Sequence, residues 1–139
     1  MNLSKNFTLR EFIQSPSATK FGYDEQDFPP DAVMDNLHLL CKNILQPLRD
    51  AINEPIEITS GYRCKRLNDM VNGFKTSDHL TGKAADITLV VAGHNISKPL
   101  FNMIIELNLP FKQLIDEQNY SWVHVSYDKD NIKREILHL

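Results

Sequence analysis

Thiols are scarce in this sequence, which carries only Cys41 and Cys64. No C-x-x-C pair exists, so a structural zinc knot built on thiolates is excluded. The two cysteines could form one disulfide, but two free thiols in a reducing compartment is the expected state. Long apolar runs are also absent. Nothing approaches the roughly 20 residues of a membrane span, so no membrane insertion is expected. Met1 to Arg10 contains no apolar signal-peptide core, so the chain is expected to be cytoplasmic as synthesised. Dense Lys/Arg runs are missing, and the formal net charge of -3 argues against a nucleic-acid partner. There are no internal repeats and no low-complexity tract.

What is present fits one soluble globular domain over residues 1–139, with 42% apolar and 24% charged residues. A chain of this length can bury a core without disulfides or a metal to staple it. Any bound metal is therefore expected to serve chemistry rather than folding.

Thr8 and Glu11 stand at capping-box spacing and predict a short helix from Leu9 to Gln14. Ser15 to Pro30 reads as an irregular segment, with Pro16, Gly22, Pro29 and Pro30 as breakers. The cluster Tyr23, Asp24, Glu25 and Asp27 inside it reads as a solvated loop rather than a calcium site. From Asp31 a long helix is predicted. Val33, Leu37, Leu40, Ile44, Leu48 and Ile52 recur at helical spacing along one face. Cys41 sits beside that stripe as core, and Pro47 should kink the helix late. Strands are predicted over 56–59, 84–91, 113–118 and 122–127, with an edge strand over 135–139. Short helices are expected over 65–71 and from Ser97 to Leu107. Helices come first and strands cluster later, which predicts an α+β fold with N-terminal helices packed on a small, mainly antiparallel sheet.

The chemically informative stretch runs from Ser77 to Asp86, Ser-Asp-His-Leu-Thr-Gly-Lys-Ala-Ala-Asp. It sets His79 in a loop and Asp86 on a strand. Imidazole nitrogen and carboxylate oxygen are the ligand types zinc accepts besides thiolate. Gly82 lets the loop turn back so that both can face one ion, and Ala84 and Ala85 are expected to leave room around it. A catalytic zinc needs three protein ligands and an open position. In Trp122-Val123-His124-Val125-Ser126, strand alternation puts His124 with Trp122 and Ser126 on the face opposite the valines. Glu117 and His124 bracket a turn around Tyr120-Ser121. A hairpin closing symmetrically there would set the two directly across from one another, with Asp116 on the other face. A carboxylate beside a metal-bound water is the general base that a hydrolytic site requires. On residue pattern alone, a solvated strand charge is the favoured reading of Glu117.

These blocks together resemble the zinc D-alanyl-D-alanine carboxypeptidases and related peptidoglycan peptidases, including phage endolysins that cut L-alanyl-D-glutamate bonds. The Hedgehog signalling domain shares the same zinc scaffold. The pattern S-x-H-x-x-G-x-A-x-D is met from Ser77 to Asp86. Ile58 to Arg63, Leu67-Asn68, Gly73 and Trp122 to Ser126 are similar as well. So are Phe7 to Phe12 and Leu45 to Arg49, so the resemblance spans almost the whole chain. It implies one Zn2+ per chain held by His79, Asp86 and His124. It puts Glu117 on the catalytic-base position. Many members carry an acid three places before the last histidine, where this sequence has Ser121. The compact branch and the Hedgehog-type domains place the acid one strand earlier, at the position Glu117 matches. Arg63 and Ser77 fall on substrate-binding positions, and a guanidinium fork suits a peptide carboxylate. Nothing comparable attaches to His38, His94 or His138, which read as surface or structural.

The resemblance implies a zinc metallopeptidase hydrolysing peptidoglycan stem peptides, as a carboxypeptidase or an endopeptidase, and a monomer is expected. The alternative is a non-catalytic zinc-binding module that recognises a wall peptide or a protein partner. With no export signal in view, action on the wall is expected after release by phage lysis or from a virion.

Overall fold

The computed structural model describes residues 1–139. The chain begins with helix α1 (Leu9–Ile13), closed by the expected capping box between Thr8 and Glu11. Ser15 to Pro30 is not the irregular segment expected. It forms helix α2 (Pro16–Phe21) and a 3-10 turn (Asp24–Asp27). The residues read as breakers are the helix boundaries. Ser15 Oγ accepts from the Ala18 amide at 3.1 Å, Pro16 occupies the first turn, and Gly22 ends the helix at φ 72°. Proline at the start and glycine past the end are where a helix wants them.

Helix α3 (Asp31–Leu40) runs into a π-helical segment (Cys41–Leu45) and then α4 (Gln46–Ile52). The irregularity caused by Pro47 thus lies upstream of the proline. The Gln46 amide donates to the Cys41 carbonyl, an i-to-i−5 bond, and Pro47 falls in the first turn of α4, where its missing N–H costs little. The predicted stripe is buried from Val33 to Leu48, and Cys41 and Leu45 join it.

Next come strand β1 (Glu57–Ser60), helix α5 (Lys65–Met70), a 3-10 turn (Asp78–Thr81) and strand β2 (Ala84–Thr88). The strand expected to reach Val91 stops at Thr88. Val90–Val91 (β3) and His94–Asn95 (β4) instead form a separate hairpin. Its two-residue turn, Ala92-Gly93, has positive φ at both positions, as a tight hairpin turn requires. Helix α6 (Lys98–Glu106) follows Ser97. That serine does not cap the helix with its side chain. Its Oγ accepts from the Leu89 amide and binds Asn95.

Strands β5 (Gln113–Glu117), β6 (Trp122–Ser126) and β7 (Glu135–His138) complete a five-stranded sheet in the order β1-β2-β6-β5-β7. Every pairing is antiparallel except β5 with β7. The fold is thus the α+β arrangement expected, with β7 on the predicted edge. One face of the sheet contributes Ile58, Ala85, Ile87, Leu114, Val123 and Val125 to a core cluster of 28 buried residues shared with the helices. The other face is free to carry chemistry. No helix is long and apolar enough to cross a membrane.

Both thiols are free and buried. Burial, with the charge of Glu11 adding to it, pushes the Cys41 thiol up to about 12. Reactivity follows the thiolate, so the native protein should resist maleimide labelling at pH 8. Unfolded in guanidinium, it should take up two labels. Rapid native labelling of Cys41 would contradict the packing described.

Candidate metal centre

Neighbouring strands build the site by register. Asp86 on β2 pairs directly with His124 on β6, so both side chains project from the same face. Ala84 shares that face. Ala85 does not leave room there as expected, because it points into the core. His79 comes from the 3-10 turn that leads into β2. Gly82 ends this turn at φ 75°, and a Cβ there would lie 2.7 Å from the Val33 carbonyl. The loop therefore packs against α3, and Asn36 holds it by donating to the Thr81 carbonyl at 2.9 Å.

The three donors converge. His79 Nε2 lies 3.4 Å from Asp86 Oδ1, and His124 Nδ1 lies 3.0 Å from the same oxygen. All three ligand atoms fall within 4.8 Å of one another, the one such group of three in the chain. Four ligands about 2.0–2.1 Å from a tetrahedral zinc stand roughly 3.3–3.4 Å apart, close to the two distances to Asp86. Second contacts orient the donors. The Gly61 carbonyl can only accept, so His79 Nδ1, 2.7 Å away, carries the proton and leaves Nε2 free to ligate. Burial opposes the Asp86 charge. The neighbouring His124 and His79 rings outweigh it and hold the carboxyl well below the usual carboxylate range. The Asp86 carboxylate is thus ionised at neutral pH.

Glu117 lies on the same sheet face, but its register differs from the one expected. It pairs with Trp122, while His124 pairs with Ile115. The hairpin closes two residues earlier than a turn centred on Tyr120-Ser121 would allow. Gln118, Asn119 and Tyr120 all adopt positive φ, and Asp116 Oδ1 holds the turn by accepting from the Tyr120 amide at 2.5 Å. A shift of two preserves the face. Glu117 stands diagonal to His124, and Asp116 points away, where its other oxygen meets His138 at 3.1 Å. Burial, together with the charge of Asp86, raises the Glu117 carboxyl above its ordinary value.

Arg63 and Ser77 line the same cavity of about 690 Å³ as the three donors and Glu117. Arg63 Nη2 is 3.5 Å from Ser77 Oγ, and its buried Nε has no partner. Ser77 also caps the 3-10 turn, its Oγ accepting from the His79 amide at 3.2 Å. The loop that presents Arg63 is fixed by a residue the sequence did not single out. Gln26 is buried, donates to the Ile13 and Tyr62 carbonyls at 2.9 and 2.8 Å, and accepts from the Cys64 amide at 2.8 Å. Nothing in the local pattern marks that glutamine. Asp78 and Lys112 were missed as well. Their 2.9 Å ion pair ties the histidine-bearing turn to the start of β5. Gly61 lies inside the recognised stretch, but its role is visible only in space. A Cβ there would stand 2.7 Å from the Phe12 backbone.

A search of curated proteins gave no match. The family described as Peptidase M15 matches residues 5–126, a span that contains both histidines, Asp86, Glu117, Arg63 and Ser77. The chain belongs to the Peptidase M15 family of zinc-dependent peptidases.

Proposed function

We propose that this chain hydrolyses peptide bonds in the stem peptides of bacterial peptidoglycan. His79, Asp86 and His124 would hold one zinc ion and Glu117 would serve as the general base. The observation that carries this reading is the meeting of two imidazoles and two carboxylates over one sheet face, in one cavity with an arginine whose buried Nε has no partner. Zinc bound there would acidify a water and polarise the scissile carbonyl. Asp86 and the oriented His79 ring supply the negative and neutral donors that such an ion needs. Glu117, raised by its surroundings, is suited to take a proton from water and deliver it to the departing amine. Arg63 offers a fork for a substrate carboxylate. Ser77 steadies that arginine and the turn that bears His79.

Incubating purified peptidoglycan with the zinc-loaded protein should release new free amino groups, measured by dinitrophenyl labelling. No release above a chelated control would sink the reading.

The core is built without the site residues, so the metal is expected to serve chemistry. Chelation should abolish activity, leave the far-ultraviolet circular dichroism nearly unchanged and lower the melting temperature only in part. Collapse of the spectrum on chelation would make the ion structural instead.

A further inference from the structure

The cavity does not end at the proposed ligands. Its floor continues from β6 across β5 to β7, where Glu135 and Leu137 line it. These two residues lie beyond the stretch matched by the family, which stops at residue 126. Parallel register pairs Gln113 with Glu135 and Ile115 with Leu137, so both β7 side chains share the face of Glu117 and His124. Strands stand about 4.8 Å apart, so two spacings carry the floor about 10 Å past His124. That is roughly three residues of extended peptide at about 3.4 Å each.

The floor is also held in place. The Leu139 amide donates to the Asp116 carbonyl at 2.8 Å, and the Gln118 amide donates to the Leu139 carbonyl at 3.0 Å. His138 meets Asp116 on the opposite face. Its chemistry is that of a peptide subsite. Ile115 and half-buried Leu137 form an apolar pair. Beside them, Gln113 Nε2 donates to Glu135 Oε1 at 2.7 Å, which sets an amide and a carboxylate next to the apolar step.

We infer that β7 is a specificity-determining wall. It selects peptides that continue about three residues past the scissile bond, on the side away from Arg63, and that lay an aliphatic side chain over Ile115 and Leu137. This rests on the proposed peptidase reading. It makes the site one for long peptides, read on the side of the cut bond opposite the carboxylate that Arg63 would hold.

The test uses three synthetic stem-type peptides: one with a single residue on each side of the cut bond, and two extended by three residues at one end or the other. The zinc-loaded wild type should favour one extended peptide over the short one by roughly tenfold in kcat/KM, the scale of one aliphatic contact. Leu137→Asp, and the milder Leu137→Ser should the aspartate variant misfold, should bring that ratio close to one. Ile136→Ser, on the other face of the same strand, should leave the ratio as it is. Calorimetric binding of the same peptides to Glu117→Gln protein gives a readout without turnover. The favoured extended peptide should bind roughly tenfold tighter than the short one, and Leu137→Ser should remove the difference. Equal cleavage and equal binding of all three peptides would overturn the inference while leaving the peptidase reading intact. So would a length preference untouched by either Leu137 variant. Length-dependent binding with no cleavage would support the subsite and count against the peptidase reading.

Discussion

Glu117→Gln is expected to keep zinc in place and to lower turnover by on the order of 100-fold or more, the usual weight of a positioned general base. The substitution preserves shape and removes only the basic carboxylate. Asp116→Asn should be mild in the same assay, because Asp116 faces the other side of the sheet and serves the turn and His138. Strand alternation allows only one of these neighbours to reach the site face, so the pair is a sharp contrast. The pH profile adds a second readout. A base acts ionised, so activity should be lost as pH falls through the Glu117 titration. Burial, with Asp86 beside it, raises that carboxyl, so the loss should begin at a higher pH than for an ordinary glutamate. The Gln variant should lack this acid limb. Reversed effects at 116 and 117 would mean that the sheet face is assigned wrongly. Neither residue mattering while zinc stayed bound would favour a non-catalytic zinc-binding module.

Replacing His79 and His124 together by alanine is expected to reduce zinc from near one ion per chain to background and to abolish hydrolysis. Asp86 would remain as a lone donor, and a single carboxylate does not make a zinc site. The expected cost to the fold differs between the two positions. His79 is buried and satisfies the Gly61 carbonyl, so its loss leaves that acceptor without its partner, at about 1–3 kcal/mol. His124 keeps one side open to the cavity, and its removal should disturb stability less. Elemental analysis and melting curves of the two single variants would check this ordering. Retention of stoichiometric zinc by the double variant would show that the ion sits elsewhere.

Much of the site was legible because its elements are local. The loop-to-strand run from Ser77 to Asp86 and the alternation around His124 each carry their own pattern, and both faces came out as the alternation required. What failed was distance along the chain between paired strands. Parity fixes which face Glu117 occupies, but turn geometry fixes its partner. Three consecutive residues with positive φ, none of them glycine, gave no turn signature to read. The segment from Ser15 to Pro30 shows the reverse problem. Its proline and glycine are strong signals, and they mark the ends of a short helix as readily as a loop. The supporting contacts were out of reach for a different reason. Gln26, Asp78 and Lys112 act across 13 to 38 residues of sequence, where no spacing rule applies.

The most direct measurement is mass spectrometry of stem-peptide fragments after incubation of purified peptidoglycan with zinc-loaded wild type and with Glu117→Gln protein. Wild type should produce fragments that differ from the starting material by addition of one water at a single peptide bond, and the variant should yield almost none in the same time. Intact stem peptides in both digests, with zinc bound in both proteins, would contradict the claim that this face of the sheet is a peptidase active site.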